Sequence, residues 1–98
     1  MNKYHLTGKA IEDLNEIWNY TFKEWSENQA DKYFHQLLST CQDLADNPHV
    51  GKKYEIMIDN IWGYKSSEHI IFHRKINNEE IEITRILHSM MDLKRKFL

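Results

Sequence analysis

Two rhythms divide the chain. Between residues 10 and 45 apolar side chains recur every third or fourth position, and from residue 54 to residue 87 they recur mainly every second position. The first spacing predicts helices and the second predicts strands. Ala10, Ile11, Leu14, Ile17, Trp18, Thr21, Phe22 and Trp25 form one stripe, so a helix runs to about Trp25 from an N-cap at Thr7, whose hydroxyl can take an orphan backbone N–H. Ser26-Glu27-Asn28-Gln29 has the form of a capping box and starts a second helix at once. That helix carries Ala30, Tyr33, Phe34, Leu37, Leu38, Cys41, Leu44 and Ala45 and stops at Asn47-Pro48, because proline disfavours a helical residue before it. So short a connection makes the two helices an antiparallel hairpin. Trp18, Phe22, Trp25, Tyr33 and Phe34 read as its core.

The alternating segments surround this hairpin. Tyr4-His5-Leu6 is a short first strand that ends at Thr7-Gly8. Tyr54-Glu55-Ile56-Met57-Ile58 and Ile61-Trp62-Gly63-Tyr64-Lys65 read as strands around an Asp59-Asn60 turn. His69-Ile70-Ile71-Phe72-His73-Arg74 lies between Ser66-Ser67 and Asn77-Asn78, so a hairpin joins it to Ile81-Glu82-Ile83-Thr84-Arg85-Ile86-Leu87 as the central pair of a sheet. Arg85 shares its alternation with Ile81, Ile83 and Leu87, which puts it at the edge of the core face, paired to a helix carboxylate such as Asp13. From Ser89 onward, apolar Met90, Met91, Leu93, Phe97 and Leu98 are interleaved with Asp92, Lys94, Arg95 and Lys96, a short closing helix. The expected class is α+β: an N-terminal strand, then a two-helix hairpin packed on a mainly antiparallel sheet, then a C-terminal helix, in one domain over residues 1–98.

Composition narrows the picture. Hydrophobic residues make up 41% and charged residues 29%, with three Gly and one Pro, which leaves no linker or low-complexity segment. No apolar run approaches the roughly 20 residues of a membrane span, and the first residues lack a signal-peptide core, so no membrane contact and a cytoplasmic location are expected. The single Cys41 has no partner for an internal disulfide and falls in the helical stripe as a small hydrophobe. Residues 1–50 carry four Lys/Arg against eight Asp/Glu, and residues 51–98 carry nine against seven, so the halves are −4 and +2. The excess of +2 is too small to argue direct nucleic-acid binding. His69 and His73 have a spacing that chelates metal on a helix, but on a strand it separates them by about 13 Å. Neither a metal nor a cofactor is expected.

From residue 69 the chain reads His69, the apolar Ile70-Ile71-Phe72, then His73-Arg74, later Arg85-Ile86-Leu87-His88 and, after two further residues, Met91-Asp92. This closing pattern resembles the toxins of the ParE branch of the RelE/ParE superfamily. The resemblance extends to Tyr4, Ala10, Asp13-Leu14, Ile17, Tyr20-Thr21, Gln29-Ala30, Tyr33, Leu37, Leu44-Ala45, Pro48 and Gly51. It implies the RelE-like fold over essentially the whole chain. It further implies the toxin of a bacterial type II toxin–antitoxin system that inhibits DNA gyrase, is neutralised by a small ParD-like antitoxin, and forms a hetero-oligomer with it. On this reading there is no catalytic residue, and the toxic surface is the tail: Met91, Asp92, Lys94, Arg95, Lys96, Phe97 and Leu98.

The RelE-like relatives of the same fold open an enzymatic alternative, ribosome-dependent cleavage of messenger RNA. Such cleavage needs cations at the phosphate and a proton donor and acceptor near neutral pH. The candidates are Lys65, His73, Arg74, Arg85 and His88, with His88 the nearest match to the acid–base residues those nucleases keep near their C-terminus. Two positions depart from the ParE pattern: Lys65 stands where Arg is commoner after Gly-Tyr, and His73 where Tyr commonly precedes the Arg. The structural readings compete for Arg85, as partner of a helix carboxylate, and for His88, as the residue that ends the strand and hydrogen-bonds the turn after it.

Overall fold

Thr7 starts the helical layer and ties it to the sheet in the same few atoms. Its hydroxyl accepts the Ala10 N–H at 3.0 Å and donates to the Thr84 carbonyl at 2.8 Å, and its own N–H meets the Ile83 carbonyl at 3.1 Å. The computed structural model describes residues 2–47 and 60–90, together with the backbone of Lys52–Lys53. Strand β1 (Lys3–Leu6) leads into helices α1 (Gly8–Glu24) and α2 (Glu27–Asp46), followed by β2 (Lys52–Lys53), β3 (Trp62–Ser66), β4 (His69–Lys75) and β5 (Glu80–His88). Ser26 caps α2 as its sequence requires, accepting from the Gln29 N–H at 3.1 Å.

The strands form one sheet in the order β1-β5-β4-β3-β2. β1 lies parallel to β5, with Tyr4 opposite Ile81 and Leu6 opposite Ile83, and the other neighbours are antiparallel. β1 and β5 are separated in the chain by the helical hairpin and the strands β2, β3 and β4, so no tight turn forces them antiparallel. Asn60 and Ser67 take left-handed backbone conformations, φ 66° and 56°, at the turns that open and close β3. The β4–β5 turn is built by Asn77, whose side-chain oxygen accepts from the Glu79 N–H at 2.8 Å and whose amide donates to Glu80 at 2.7 Å. The strand expected at Tyr54-Glu55-Ile56-Met57-Ile58, and the closing helix beyond Met90, lie outside the described residues.

The core sits where the hairpin covers the sheet. Ala10 and Leu14 of α1, Leu37, Cys41, Leu44 and Ala45 of α2, and Ile71, Ile81, Ile83 and Ile86 of the central strands form one buried cluster. Burial pushes the Cys41 thiol up to about 12, so it stays protonated and inert, a small apolar core group. A second cluster, Ile61, Ile70, Phe72 and Leu87, occupies the alternate positions of β4 and its neighbours.

Strict alternation fails in β5. Phe72 pairs with Arg85 but the next residue, His73, pairs with Ile83, so Thr84 is an extra residue in β5. This β-bulge changes which side chains face the helices. Ile81 and Ile83 do so before it and Ile86 after it, whereas Leu87 belongs to the other cluster. Placing Leu87 with Ile81 and Ile83, as unbroken alternation requires, is therefore corrected by the bulge.

The aromatic residues of α1 also depart from expectation. Trp25 is 75% exposed and Phe22 47%, and past Leu14 no residue of α1 is buried. The helix packs with Ala10, Leu14 and the partly buried Ile17 against the main cluster, with Asp13 buried beside them, whereas Phe22 and Trp25 past that contact are exposed. Trp18 and Phe22 stack on each other with centroids 5.2 Å apart, and the Trp18 indole donates to Asp31 of α2 at 3.0 Å. Tyr33 and Phe34 do pack against the main cluster.

Candidate functional site

β1 stops at Leu6 while β5 runs on to His88, so among the described residues no strand lies beside the last residues of β5 on that edge. Asp13 fills the place. Its Oδ2 accepts the Ile86 backbone N–H at 2.9 Å, the bond a continuing strand would have taken. The same carboxylate receives the Arg85 fork, Nε to Oδ2 at 2.8 Å and Nη2 to Oδ1 at 2.9 Å. Only 7% of the Asp13 side chain and 18% of the Arg85 side chain are exposed. Hydrogen bonds from the guanidinium to Asp13 raise the Arg85 pKa further above its ordinary value. The pairing of Arg85 with a helix carboxylate expected from the sequence is thus met at Asp13.

Beside this lock lies an open groove of about 1170 Å³. One wall is α1 from Asp13 to its C-cap Trp25, with Glu16, Ile17 and Tyr20 between them; a second is the start of α2, with Lys32 and Tyr33; Glu68 of the β3–β4 turn, His69 at the start of β4 and Arg85, Ile86 and His88 of β5 complete it. At its sheet end two imidazoles meet edge to face, His69 and His88, with centroids 5.3 Å apart and planes at 78°. Both have one nitrogen engaged. His69 Nδ1 lies 2.6 Å from the Tyr33 hydroxyl, and His88 Nδ1 accepts the Met90 N–H at 3.1 Å. The Met90 N–H makes His88 Nδ1 an acceptor, and the Tyr33 hydroxyl that meets His69 Nδ1 also donates to the Ser66 carbonyl at 3.4 Å. Burial and the neighbouring His88 push the His69 pKa down to about 4, against smaller opposing effects of Glu68 and Asp13. Glu68 approaches His88 Nε2 at 3.8 Å. Burial also raises the Tyr33 hydroxyl above its usual value.

Of the five residues named for RNA cleavage, the fold brings Arg85 and His88 to this groove and leaves three elsewhere. Lys65 is exposed on β3 across from Ile70. His73 is 1% exposed, inside β4. Arg74 donates to Glu82 at 2.8 Å on the neighbouring strand. The tail residues Met91, Asp92, Lys94, Arg95, Lys96, Phe97 and Leu98 lie outside the described residues. Among the described residues no group of three or more His, Cys, Asp or Glu side chains is placed to hold a metal ion. Sequence reasoning missed Tyr33, Glu68 and His69 as neighbours of His88. A strand-end histidine beside a two-residue turn was a faint signal, but its tyrosine partner comes from a helix 36 positions away.

With this geometry in hand, comparison with known proteins is decisive for the family. The model for the "ParE toxin of type II toxin-antitoxin system, parDE" matches residues 4–93. The chain belongs to the ParE toxin family. Toxin ParE1 of Caulobacter vibrioides is 32% identical over 92 residues, 94% of each chain, and Toxin ParE1 of Mycobacterium tuberculosis is 29% identical over 94 residues, 96% of each. A solved chain of the chromosomal ParDE TA system from P. aeruginosa superposes with a TM-score of 0.76 at 21% identity, covering 90% of this chain and 96% of that one, a likeness of fold. The ParE architecture accounts for the strand, helical hairpin and sheet in the order observed. Among the described residues no helix is long and apolar enough to cross a membrane.

Proposed function

We propose that this ParE-family toxin acts by binding: it inhibits DNA gyrase in the cytoplasm and is silenced by a small ParD-like antitoxin in a hetero-oligomeric complex. The observation that carries this reading is the Asp13–Arg85 lock. A guanidinium that must stabilise a phosphorane needs to face the reacting phosphate, and this one is spent on a buried carboxylate. With His73 buried and Arg74 paired to Glu82, the cationic set needed for RNA cleavage is dispersed. The antitoxin contact is broad and anchored by apolar side chains, since ordering a disordered tail costs free energy that a small polar contact would not offset. The tail from Met91 to Leu98 remains the proposed toxic surface.

Ribosome-dependent messenger RNA cleavage keeps one observation in its favour, the opening of His88 onto the same groove as Arg85. One pair of assays separates the two readings. Purified protein is expected to block gyrase supercoiling or convert gyrase to a DNA-breaking form, while messages on translating ribosomes stay intact. Fresh cuts at the ribosomal A site, slowed by about 10² to 10⁴ in His88→Ala with the fold retained, would reverse the assignment.

A further inference from the structure

Besides the face it buries, α1 carries a second apolar face. Ile11, Asn15, Trp18 and Phe22 follow one another at four- and three-residue spacing and share one stripe, turned away from Ala10, Asp13 and Leu14. Ile11 and Phe22 are each 47% exposed, and Phe22 is held by its stack on the partly buried Trp18. The stripe runs about 16 Å along the helix and lies apart from the groove, whose lining includes none of these four residues. Large apolar side chains set in a row on a solvent face mark a contact surface.

The polar residues beside the stripe decide what covers it. Glu12, Asn19 and Lys23 run along its outer flank, all exposed, and among the described residues neither Glu12 nor Lys23 forms a salt bridge. Glu12 and Lys23 have the same sequence separation as Ile11 and Phe22, close to three helical turns, so each pair stays on one line of the helix. A face with an acid toward one end and a base toward the other is its own complement once turned end for end, as a two-fold contact requires. We infer that a second copy of this chain covers the stripe, α1 packing antiparallel on α1 about a two-fold axis level with residue 17. In that arrangement Ile11 of each copy meets Phe22 of the other and Glu12 meets Lys23, each within about 1.5 Å along the helix. The two Trp18 rings lie next to the axis, at the centre of the contact, where aromatic anchors concentrate. Asn15 is level with Asn19 of the other copy, and their amides can bond each other. One helix face about 25 Å long offers less than the roughly 800 Å² per partner of a standard interface, so the dimer forms reversibly and only at high concentration.

The test is sedimentation velocity of the purified full chain, where a shift from monomer to dimer is expected between about 1 and 100 µM. Phe22→Ser, at an exposed position where circular dichroism should be unchanged, is expected to abolish the shift. Glu12→Lys and Lys23→Glu should each weaken the dimer by about tenfold at low salt, since two attractive rim contacts become two repulsive ones. High salt should reduce both effects, because these side chains are exposed. Mixing the two single variants is the sharpest measurement: one copy then carries two bases along the flank and the other two acids. The mixed dimer is expected to recover to within a few-fold of the parent, which a merely local disturbance by either substitution would not allow. A chain that stays monomeric at about 100 µM, leaving the stripe to a different partner, would overturn the inference. So would a dimer indifferent to Phe22→Ser, or a mixture that associates no better than its components.

Discussion

Asp13 is the residue on which the site depends, because one carboxylate satisfies a strand-edge N–H and both arms of an arginine fork. Removing one partner of a largely desolvated pair leaves the other uncompensated, which costs far more than the net worth of the pair. Asp13→Ala should lower stability to chemical denaturation by about 3 kcal/mol, with the orphaned Ile86 N–H adding to the loss of the Arg85 partner. Arg85→Met should cost less, since its partner keeps the bond to Ile86. His69 supplies a prediction in pH. Its pKa falls from an ordinary 6.5 to about 4 on folding, so between those values the unfolded chain binds more protons than the folded one. Stability is therefore complete above pH 6.5 and declines as pH falls toward 4. The partly exposed ring should contribute about 1–2 kcal/mol once solvent screening is allowed for. His69→Gln should flatten that part of the pH profile, and an unchanged slope would locate the acid sensitivity elsewhere.

At the scale of elements, α1 divides into a half that folds the protein and a half that faces outward. Leu14→Ala removes a side chain from the main cluster and should cost about 2–5 kcal/mol, as large-to-small core changes do. Trp25→Ser, at a position 75% exposed, should change stability by no more than about 0.5 kcal/mol. It should nevertheless weaken partner binding, read by co-purification. The bulge in β5 admits a sharper trial. Deleting Thr84 would make the pairing with β4 regular and keep Ile83 and Ile86 on the helix side, so what is lost is the Thr84 carbonyl that accepts from the Thr7 hydroxyl and the Thr84 hydroxyl's bond to the Phe72 carbonyl. The deletion is expected to keep cooperative unfolding at a cost of about 1–3 kcal/mol in chemical denaturation, and Thr84→Val, which removes only the hydroxyl bond, about 1 kcal/mol.

For the whole molecule, the helical half carries −4 and the sheet-and-tail half +2, and the two are proposed to serve different partners. On that division the helical half takes the antitoxin and the basic tail acts on the target. Deleting residues 92–98 should abolish growth arrest while antitoxin capture persists. Continued arrest by the truncated chain would move the toxic surface back onto the sheet or the hairpin. His88→Ala should leave both properties within a few-fold of the parent, because on the binding reading His88 terminates β5 through its contact with the Met90 N–H.

What the sequence determined by itself was local. Thr7 and Ser26 could be named as helix caps because a hydroxyl one turn ahead of orphan N–H groups has only a few uses, and Asn77-Asn78 marked the β4–β5 turn for the same kind of reason. The period of apolar residues was enough for the α+β layering, and the closing motif for the family. Tertiary structure decided the rest. Whether Trp25 is core or surface depends on how far α1 extends past the sheet, a length that helical spacing does not encode. The inward face of β5 is set by a bulge that pairing with β4 creates, so alternation along one strand misassigned Leu87. The meeting of Tyr33, Glu68, His69 and His88 beside the Asp13–Arg85 lock joins two helices, a turn and a strand end, and side chains so far apart in the chain become neighbours only when the hairpin packs across the sheet.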